Sequence, residues 1–163
     1  MSTSVRTRRW TGAALAAAAL ATGAVTMGPA TAAHAASPNC TYASITYGTG
    51  WGASMYTQIP VYFPTRSFTC GMTSASHGSY KSVAVIHMQD ALRKCYGQTI
   101  DVDGYFGPRT KQALKNVQAK VGIKVDGAWG PQTSGAIRYP VYTTKGGYQG
   151  KCYARNFFNG ERY

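Results

Sequence analysis

The sequence predicts a mainly α fold: a bundle of three helices with a small N-terminal extension, β-rich or irregular and tied down by disulfides. Three observations support this prediction. The first is an apolar stripe of helical period that begins after Ser82. The second is a phrase that occurs twice, at 102–114 and again at 125–137. The third is a set of four cysteines: Cys40, Cys70, Cys95 and Cys152.

Residues 1–35 have the layout of a secretory signal peptide. Arg6, Arg8 and Arg9 form a basic region, an Ala-rich apolar run follows, and an A-H-A segment ending at Ala35 offers a cleavage site. A transmembrane anchor is the alternative, but the apolar run is too short for a comfortable span. We therefore expect export, cleavage after Ala35, and a mature protein that does not enter the membrane.

Residues 36–79 form a Tyr-, Ser- and Gly-rich extension with few charges. Ser44–Tyr47 and Val61–Phe63 combine β-branched and aromatic residues with Gly and Pro nearby, which favours short strands or an irregular segment. The run Thr73–Ser79 has the composition of a linker.

The four cysteines all follow the predicted cleavage site. An even number in a small exported chain indicates two disulfides, whose pairing the sequence leaves open. A zinc site is the alternative, but no C-x-x-C pair occurs and the spacings are wide. The tail at 139–163 is Tyr- and Gly-rich, and we expect it to pack back on the domain through Cys152.

The first predicted helix runs from Ser82 to Gly97. Gly97 is a typical stop signal, and basic residues in the last turn suit the negative end of the helix dipole. The apolar residues recur at spacings of three and four, so they share one face. They are Val85, Met88, Leu92 and Cys95.

The doubled phrase introduces the second and third predicted helices. Its copies read V-D-G-Y-F-G-P-R-T-K-Q-A-L and V-D-G-A-W-G-P-Q-T-S-G-A-I. Each copy predicts a turn at Asp-Gly and a helix that begins at its proline, Pro108 or Pro131. Gly122 ends the second helix, and the third is shorter and closes at Pro140.

The first and second helices also carry Gln89 and Gln118 beside their apolar stripes. Together with the two phrases, these residues resemble the peptidoglycan-binding-like domain, a small three-helix module of exported wall hydrolases. The resemblance covers about 80–138 and implies a peptidoglycan ligand. As an exported protein with such a domain, the chain resembles actinobacterial secreted wall-binding proteins. Val117 departs from the family, which usually has a large aromatic there, and Gly135 weakens the third helix.

The candidate ligand contacts lie in and beside the two phrases. Phe106 and Trp129 occupy equivalent positions, and equivalent aromatics in a small bundle are usually core. Tyr105 corresponds to Ala128, so the turn does not require an aromatic there, and a tyrosine at a surface turn can stack on a sugar ring. Arg109 can meet acidic groups of wall polymers, with a solvated helix face as the alternative. The full candidate set is Asp103, Tyr105, Phe106, Arg109, Gln118, Asp126 and Trp129.

Charge favours a polyanionic partner. The chain has 17 Lys+Arg against 5 Asp+Glu, a formal net charge of +12. Such an excess attracts polyanions over long range. In an exported protein we expect these to be acidic polymers of a cell envelope and not nucleic acid. The alternative is that the charge serves solubility alone.

The sequence shows no catalytic constellation, and we expect no enzymatic activity, no metal and no cofactor. The H-E-x-x-H and H-x-x-E-H metallopeptidase motifs are missing. A glycosidase needs two facing carboxylates, but Asp103 and Asp126 are explained by the turns. Cys95 and His87 lie on one helix roughly 12 Å apart along its axis, too far for a nucleophile–base hydrogen bond.

The sequence therefore predicts a secreted, monomeric, non-catalytic protein that binds peptidoglycan or associated anionic wall polymers. One alternative is a secreted protein-interaction or inhibitor protein that uses the disulfide-tied extension and its tyrosines. A cell-wall hydrolase is the least favoured alternative.

Overall fold

The computed structural model describes residues 37–47, 55–63 and 65–158. The predicted signal peptide, 1–35, lies outside these residues. Among the helices in the described ranges, none is long and apolar enough to cross a membrane.

Strands from both ends of the described chain surround a helical middle. The strands form one four-stranded sheet in the order β1-β2-β3-β4, with antiparallel pairing between neighbours. In chain order the elements are β1 Tyr42–Tyr47, β2 Met55–Val61, α1 Ser74–His77, α2 Val83–Tyr96, α3 Pro108–Lys120, α4 Pro131–Ala136, β3 Arg138–Thr143, β4 Tyr148–Ala154 and a 3-10 helix Arg155–Phe158.

The predicted mainly α fold with a three-helix bundle is therefore wrong. The four-stranded sheet overturns it, because the tail supplies two strands and the extension supplies the other two. Met55 and Tyr56 pair with Thr143 and Tyr142, so the sheet depends on partners far apart in the chain. Pairing at that range leaves no local pattern in the sequence.

The third helix is shorter than predicted. It ends at Ala136, and Ile137 is already extended, with φ −87° and ψ 165°. Pro140, predicted to close this helix, lies inside β3 and pairs with Cys152. The Pro140 carbonyl oxygen accepts a hydrogen bond of 2.8 Å from the buried Thr57 hydroxyl of β2.

Helix α2 occupies the centre of the fold. It packs against all four strands and against α3. The predicted apolar stripe faces inward, with Val85, Met88 and Leu92 fully buried. Burying each such side chain contributes about 1.5–3 kcal/mol. The largest side chains around it are Ile59, Met72, Phe106, Leu114, Trp129, Ile137 and Tyr139.

The two predicted disulfides are present. Cys40 bonds to Cys70 and ties the start of β1 to the segment before α1. Cys95 bonds to Cys152, which fastens β4 to the end of α2. Each bridge restricts the unfolded chain and contributes about 2–4 kcal/mol.

The predicted linker at Thr73–Ser79 contains a short helix, α1. Thr73 and Ser76 form a reciprocal capping box at its start. His77 is fully buried. Its Nε2 atom lies 2.8 Å from the Cys40 carbonyl oxygen, and its Nδ1 atom lies 2.7 Å from the Ser76 hydroxyl oxygen. Burial lowers the His77 pKa, although the Cys40 hydrogen bond opposes this. Capping and burial thus override the linker-like composition.

Four tyrosines form a row across the sheet. Tyr47, Tyr56, Tyr142 and Tyr148 come one from each strand, and successive ring centroids lie 6.4, 5.6 and 6.1 Å apart. The Tyr142 hydroxyl is hydrogen-bonded to Asp90 and Lys94 of α2. The four rings contact one another in sequence, and Tyr142 and Tyr148 also contact α2, so they are not a set of independent rings.

Candidate functional site

The first copy of the phrase begins in loop 1 (residues 97–107, between α2 and α3) and continues into α3. The second copy begins in loop 2 (residues 121–130, between α3 and α4) and continues through α4. In loop 1, the Gln89 side chain reaches in from α2. Its amide nitrogen donates to Asp103 Oδ1 at 2.8 Å and to the Tyr105 carbonyl oxygen at 3.0 Å, and lies 3.0 Å from Thr110 Oγ1. Its amide oxygen accepts from the Gly104 N–H at 2.8 Å. One buried glutamine therefore fixes the whole turn.

Loop 2 repeats this network around Gln118 of α3. The Gln118 amide nitrogen donates to Asp126 Oδ1 and to the Ala128 carbonyl oxygen, each at 2.9 Å, and lies 3.2 Å from Thr133 Oγ1. Its oxygen accepts from the Gly127 N–H at 2.8 Å. Each loop is thus held by a glutamine of the preceding helix, and we call each arrangement a glutamine clamp.

The two aspartates serve as ionised acceptors in these turns. The Gln89 side chain and then the Tyr105 N–H donate to Asp103 and lower its pKa. Burial raises the pKa of Asp126, but hydrogen bonds from the Ala128 N–H and Gln118 outweigh it, so the net shift is downward. Hydrogen bonds to the charged form favour that form. Both carboxyl groups are therefore committed to holding the backbone.

Glycine is required at the turn centres. Gly104 has φ +83° and Gly127 has φ +68°, in the left-handed region that L side chains rarely adopt. A Cβ atom at Gly104 would lie 2.9 Å from the Lys81 side chain, and one at Gly127 would lie 2.9 Å from the Lys111 side chain. Lysine stems therefore cover both turns.

The matched aromatics, Phe106 and Trp129, are core residues here. They are 0% and 1% exposed. Trp129 also exchanges two backbone hydrogen bonds of 2.9 Å with Met72, which joins loop 2 to the segment before α1. Among the described residues, its buried indole N–H has no hydrogen-bond partner. Two of the seven candidate contacts are thus inside the protein, and Gln118 is a third, at 1% exposure.

Three other candidates lie together at the surface. Asp103, Tyr105 and Arg109 line one depression of about 450 Å³, where loop 1 meets the start of α3. Tyr105 is 41% exposed. Asp126, the seventh candidate, lies apart from this depression, in the clamp of loop 2.

The depression continues along the face between the end of α2 and α3. Two neighbouring hollows share Ile100 and Arg109 with it, and we call the three together the loop-1 groove. Gln98, Gln112 and Asn116 line its far end, where their amides form a chain of hydrogen bonds of 3.0 and 3.1 Å. The groove thus offers an aromatic ring, an arginine and a run of amides.

Sequence reasoning missed part of this site. Ile100, Asp101 and Asn116 fall outside the doubled phrase, so comparing the copies does not find them. The sequence also did not show that Gln89 and Gln118 hold their turns in the same way. Gln89 precedes Asp103 by 14 positions and Gln118 precedes Asp126 by 8, mainly because Gln89 lies seven residues before the end of α2 and Gln118 only two residues before the end of α3. The signal is a Gln on the buried face of the helix before each Asp-Gly turn.

The spacing of Cys95 and His87 argues against a catalytic pair, and Cys95 has another partner in the structure. Cys95 is bonded to Cys152, so it supplies no thiolate to His87. The His87 pKa is lowered by burial, although Asp90 opposes this. No group of three His, Cys, Asp or Glu side chains that could hold a metal ion occurs in the described ranges.

Comparison with known proteins identifies the helical middle. Residues 81–137 match the family model described as "Putative peptidoglycan binding domain". The chain therefore contains a peptidoglycan-binding-like domain, which confirms the resemblance stated from the two phrases. The match covers the two glutamine clamps and the loop-1 groove. The matched residues, 81–137, do not include any of the four strands.

One similar solved structure is a peptidoglycan-binding protein from Clostridioides difficile, crystallised in complex with glutamine hydroxamate. The identity is 24% and the TM-score 0.38, over 56% of this chain and 53% of that chain. The present chain thus spans about half the length of that protein. No curated protein matches the chain.

Proposed function

We propose that this protein binds peptidoglycan in the loop-1 groove and performs no chemistry on it. The observation that carries this proposal is the position of Tyr105 and Arg109. Both lie at the surface of the matched domain, both line the same groove, and neither is required by the clamp that builds the turn.

The groove has the chemistry that a glycan with peptide substituents needs. The ring of Tyr105 offers an apolar face and a hydroxyl for a sugar. Arg109 offers a planar set of donors that matches a carboxylate. The amide chain at Gln98, Gln112 and Asn116 provides further donors and acceptors for hydroxyl and amide groups. A shallow, largely preformed groove suits a polymer that must be held without being enclosed.

The rigid support beneath Tyr105 favours binding with little loss of freedom. The Tyr105 carbonyl oxygen accepts hydrogen bonds from Gln89 and from Thr110, and the Tyr105 N–H donates to Asp103 at 2.9 Å. The backbone is therefore fixed before any ligand arrives. Preorganisation of this kind reduces the entropic cost of association.

Export belongs to the same proposal. The predicted signal peptide at 1–35, the domain limits 80–138 and the likeness to actinobacterial secreted wall-binding proteins all rest on the sequence. The two disulfides fit an oxidising, extracellular or wall location. We propose a secreted monomer that stays with the wall, and we assign it no catalytic residue.

Basic charge adds attraction to anionic wall polymers. Lys94 and Lys124 form ion pairs with Asp90 and Asp126. Neither pair involves Arg109, Lys111 or Lys115 on α3. Attraction by exposed charges is screened by salt, with a Debye length of about 8 Å at physiological ionic strength. Groove recognition and charge attraction therefore respond differently to salt.

Co-sedimentation with purified peptidoglycan tests the proposal. The wall material is used with its anionic polymers present and again after their removal, at about 0.05 and 0.5 M salt. We expect retention on the stripped wall that persists at high salt, and no release of soluble wall fragments. Retention that disappears when the anionic polymers are removed would show charge attraction alone. Released fragments would show an enzyme.

A further inference from the structure

We propose a second binding site, on the strand-forming extension outside the matched domain. It takes the C-terminal carboxylate of a short peptide with small apolar side chains. The site is a cavity of about 220 Å³ beside β1 and the end of β2. Its lining includes Tyr42, Ile45, Val61, Phe63 and Arg66. We call it the Arg66 cavity.

The walls of this cavity are apolar and open to solvent. Tyr42, Ile45 and Phe63 are 56%, 51% and 59% exposed, more than any other large apolar side chains in the described ranges. The rings of Tyr42 and Phe63 lie 6.4 Å apart between centroids, at 55° to each other. Exposed apolar side chains that converge on a hollow are typical of a binding surface.

Arg66 supplies the one charge at the cavity. It is exposed, and neither ion pair found in the described part of the chain involves it. The acidic residues of the described ranges, Asp90, Asp101, Asp103 and Asp126, belong to α2 and the two loops. A ligand carboxylate would give this guanidinium the bidentate partner that its geometry favours.

The backbone at Arg66 also points to a ligand role. Its φ is +51°, and among the non-glycine residues of the described ranges it is the one with positive φ. An arginine gains nothing locally from the left-handed region, where glycine or asparagine is usual. A disfavoured conformation that persists at a cavity suggests that the side chain, and not the turn, requires this residue.

The surroundings hold the cavity in shape. Tyr62 and Ser67 exchange backbone hydrogen bonds of 2.9 and 3.2 Å, which close the turn that carries Arg66. The Phe63 N–H donates to Thr41 Oγ1 at 3.2 Å. The Cys40–Cys70 disulfide covalently joins the residue before Thr41 and β1 to the segment that follows the Arg66 turn. The two rings and the arginine are therefore placed by a covalently fastened frame.

The lining favours a peptide end over a sugar. A sugar brings several hydroxyl groups, and each one that loses water without a new partner weakens binding. Ile45, Val61 and Phe63 offer no such partners. A chain end with small apolar side chains brings one carboxylate for Arg66 and apolar groups for the walls. The volume is below the 300–1,000 Å³ typical of drug-sized ligand pockets, so one or two residues are the expected load.

Amide NMR of the oxidised protein tests this site. The probes are N-acetyl-dialanine with a free carboxylate, the same dipeptide as its C-terminal amide, and an N-acetylglucosamine oligomer. We expect the acid to shift the signals of residues 42–45 and 61–67, and the amide to bind about tenfold more weakly because the charge-assisted hydrogen bonds are lost. The oligomer should leave these signals unchanged.

Variants separate the charge from the fold. R66Q should weaken acid binding about tenfold, whereas K145Q, the same charge change in the β3–β4 turn, should not. R66G should abolish binding yet keep the unfolding midpoint, because glycine accepts the positive φ. Equal binding of acid and amide, equal effects of R66Q and K145Q, binding of the oligomer here, or no shift with the acid would each overturn the proposal. The titration reports on residues 42–67, so its failure is distinct from failure of peptidoglycan retention by the loop-1 groove.

Discussion

In loop 1 the residue after the Asp-Gly turn is Tyr105, and in loop 2 it is Ala128. The residue after the proline is Arg109 in loop 1 and Gln132 in loop 2. Beneath these differences the hydrogen bonds agree almost atom for atom, from Gln89 to Thr110 and from Gln118 to Thr133. The shared residues therefore build the turn. Tyr105 and Arg109, which differ from their counterparts and are exposed, are free to serve a ligand.

The two loops also differ in what lies beside them. Loop 1 borders the groove that runs between α2 and α3. Loop 2 is joined to the rest of the fold, because Trp129 exchanges backbone hydrogen bonds with Met72 and packs against Tyr139 of β3 at 6.3 Å between ring centroids. One copy of the turn borders the loop-1 groove and the other anchors the domain to the sheet.

The largest expected effect comes from removing a clamp. Gln89→Leu or Gln118→Leu keeps the approximate shape but leaves a buried glycine N–H without its acceptor and removes one donor from an aspartate carboxylate and from a backbone carbonyl oxygen. We expect each variant to lose about 3–5 kcal/mol of unfolding free energy. Denaturant unfolding measures this. Gln112→Leu on the exposed face of α3 is the control, and a Gln89→Leu variant as stable as that control would remove the clamp from our account.

Replacing the turn glycines with alanine should lower the unfolding free energy by a smaller amount, and this loss should differ between the two loops. At Gly104 a Cβ would lie 3.1 Å from Ile86 and 3.3 Å from the backbone nitrogen of Ser82, whereas at Gly127 its near neighbours are the flexible Lys111 and Lys115 side chains. We expect Gly104→Ala to cost about 2–3 kcal/mol and Gly127→Ala about 1 kcal/mol. Thermal unfolding of the two variants side by side gives the comparison. The reverse order would contradict the difference in packing.

The sequence predicted both loops well because their determinants are local. Asp-Gly turns, glycines at the turn centres and prolines at the first helical position act over a few residues, so α2 and α3 begin and end close to the predicted positions. The sheet could not be predicted in the same way. Tyr56 pairs with Tyr142 across the whole helical middle of the chain. Short Tyr-rich segments such as 138–143 have no helical or strand pattern strong enough to predict the pairing of β2 with β3.

The candidate site could be predicted in part. Comparing the copies identified Tyr105, because a substituted position inside a repeated turn is visible in the sequence. It could not show that Phe106, Gln118 and Trp129 point inward, since a repeat conserves core and surface positions alike. The groove itself depends on Ile100, which approaches Arg109 only through the packing of loop 1 on α3.

The smallest expected effect is on acid stability. Asp103 and Asp126 both have lowered pKa values in the folded protein. Their contribution is therefore complete above the ordinary carboxyl pKa of about 3.9 and is lost as the pH falls through the folded value. Asn keeps the acceptor oxygen, so Asp103→Asn and Asp126→Asn should cost about 1 kcal/mol or less at pH 7.

The same two variants should also flatten the loss of stability below about pH 4. Asp103→Asn should flatten it more than Asp126→Asn, because a hydrogen bond is the largest influence on the pKa of Asp103, whereas burial, which opposes the shift, is the largest at Asp126. The measurement is unfolding free energy from pH 2 to 7. An unchanged acid limb in both variants would show that neither carboxylate is held ionised by its turn.

The central claim is that the clamp builds the turn while Tyr105 and Arg109 bind. Its most direct test converts loop 1 into the chemistry of loop 2, with the double variant Tyr105→Ala/Arg109→Gln. Lys145→Gln serves as the charge control. Retention on stripped peptidoglycan at high salt is measured together with the unfolding midpoint. We predict that retention falls at least about tenfold while the midpoint stays within about 2 °C, because loop 2 already folds with those residues. Full retention by the double variant would contradict the account.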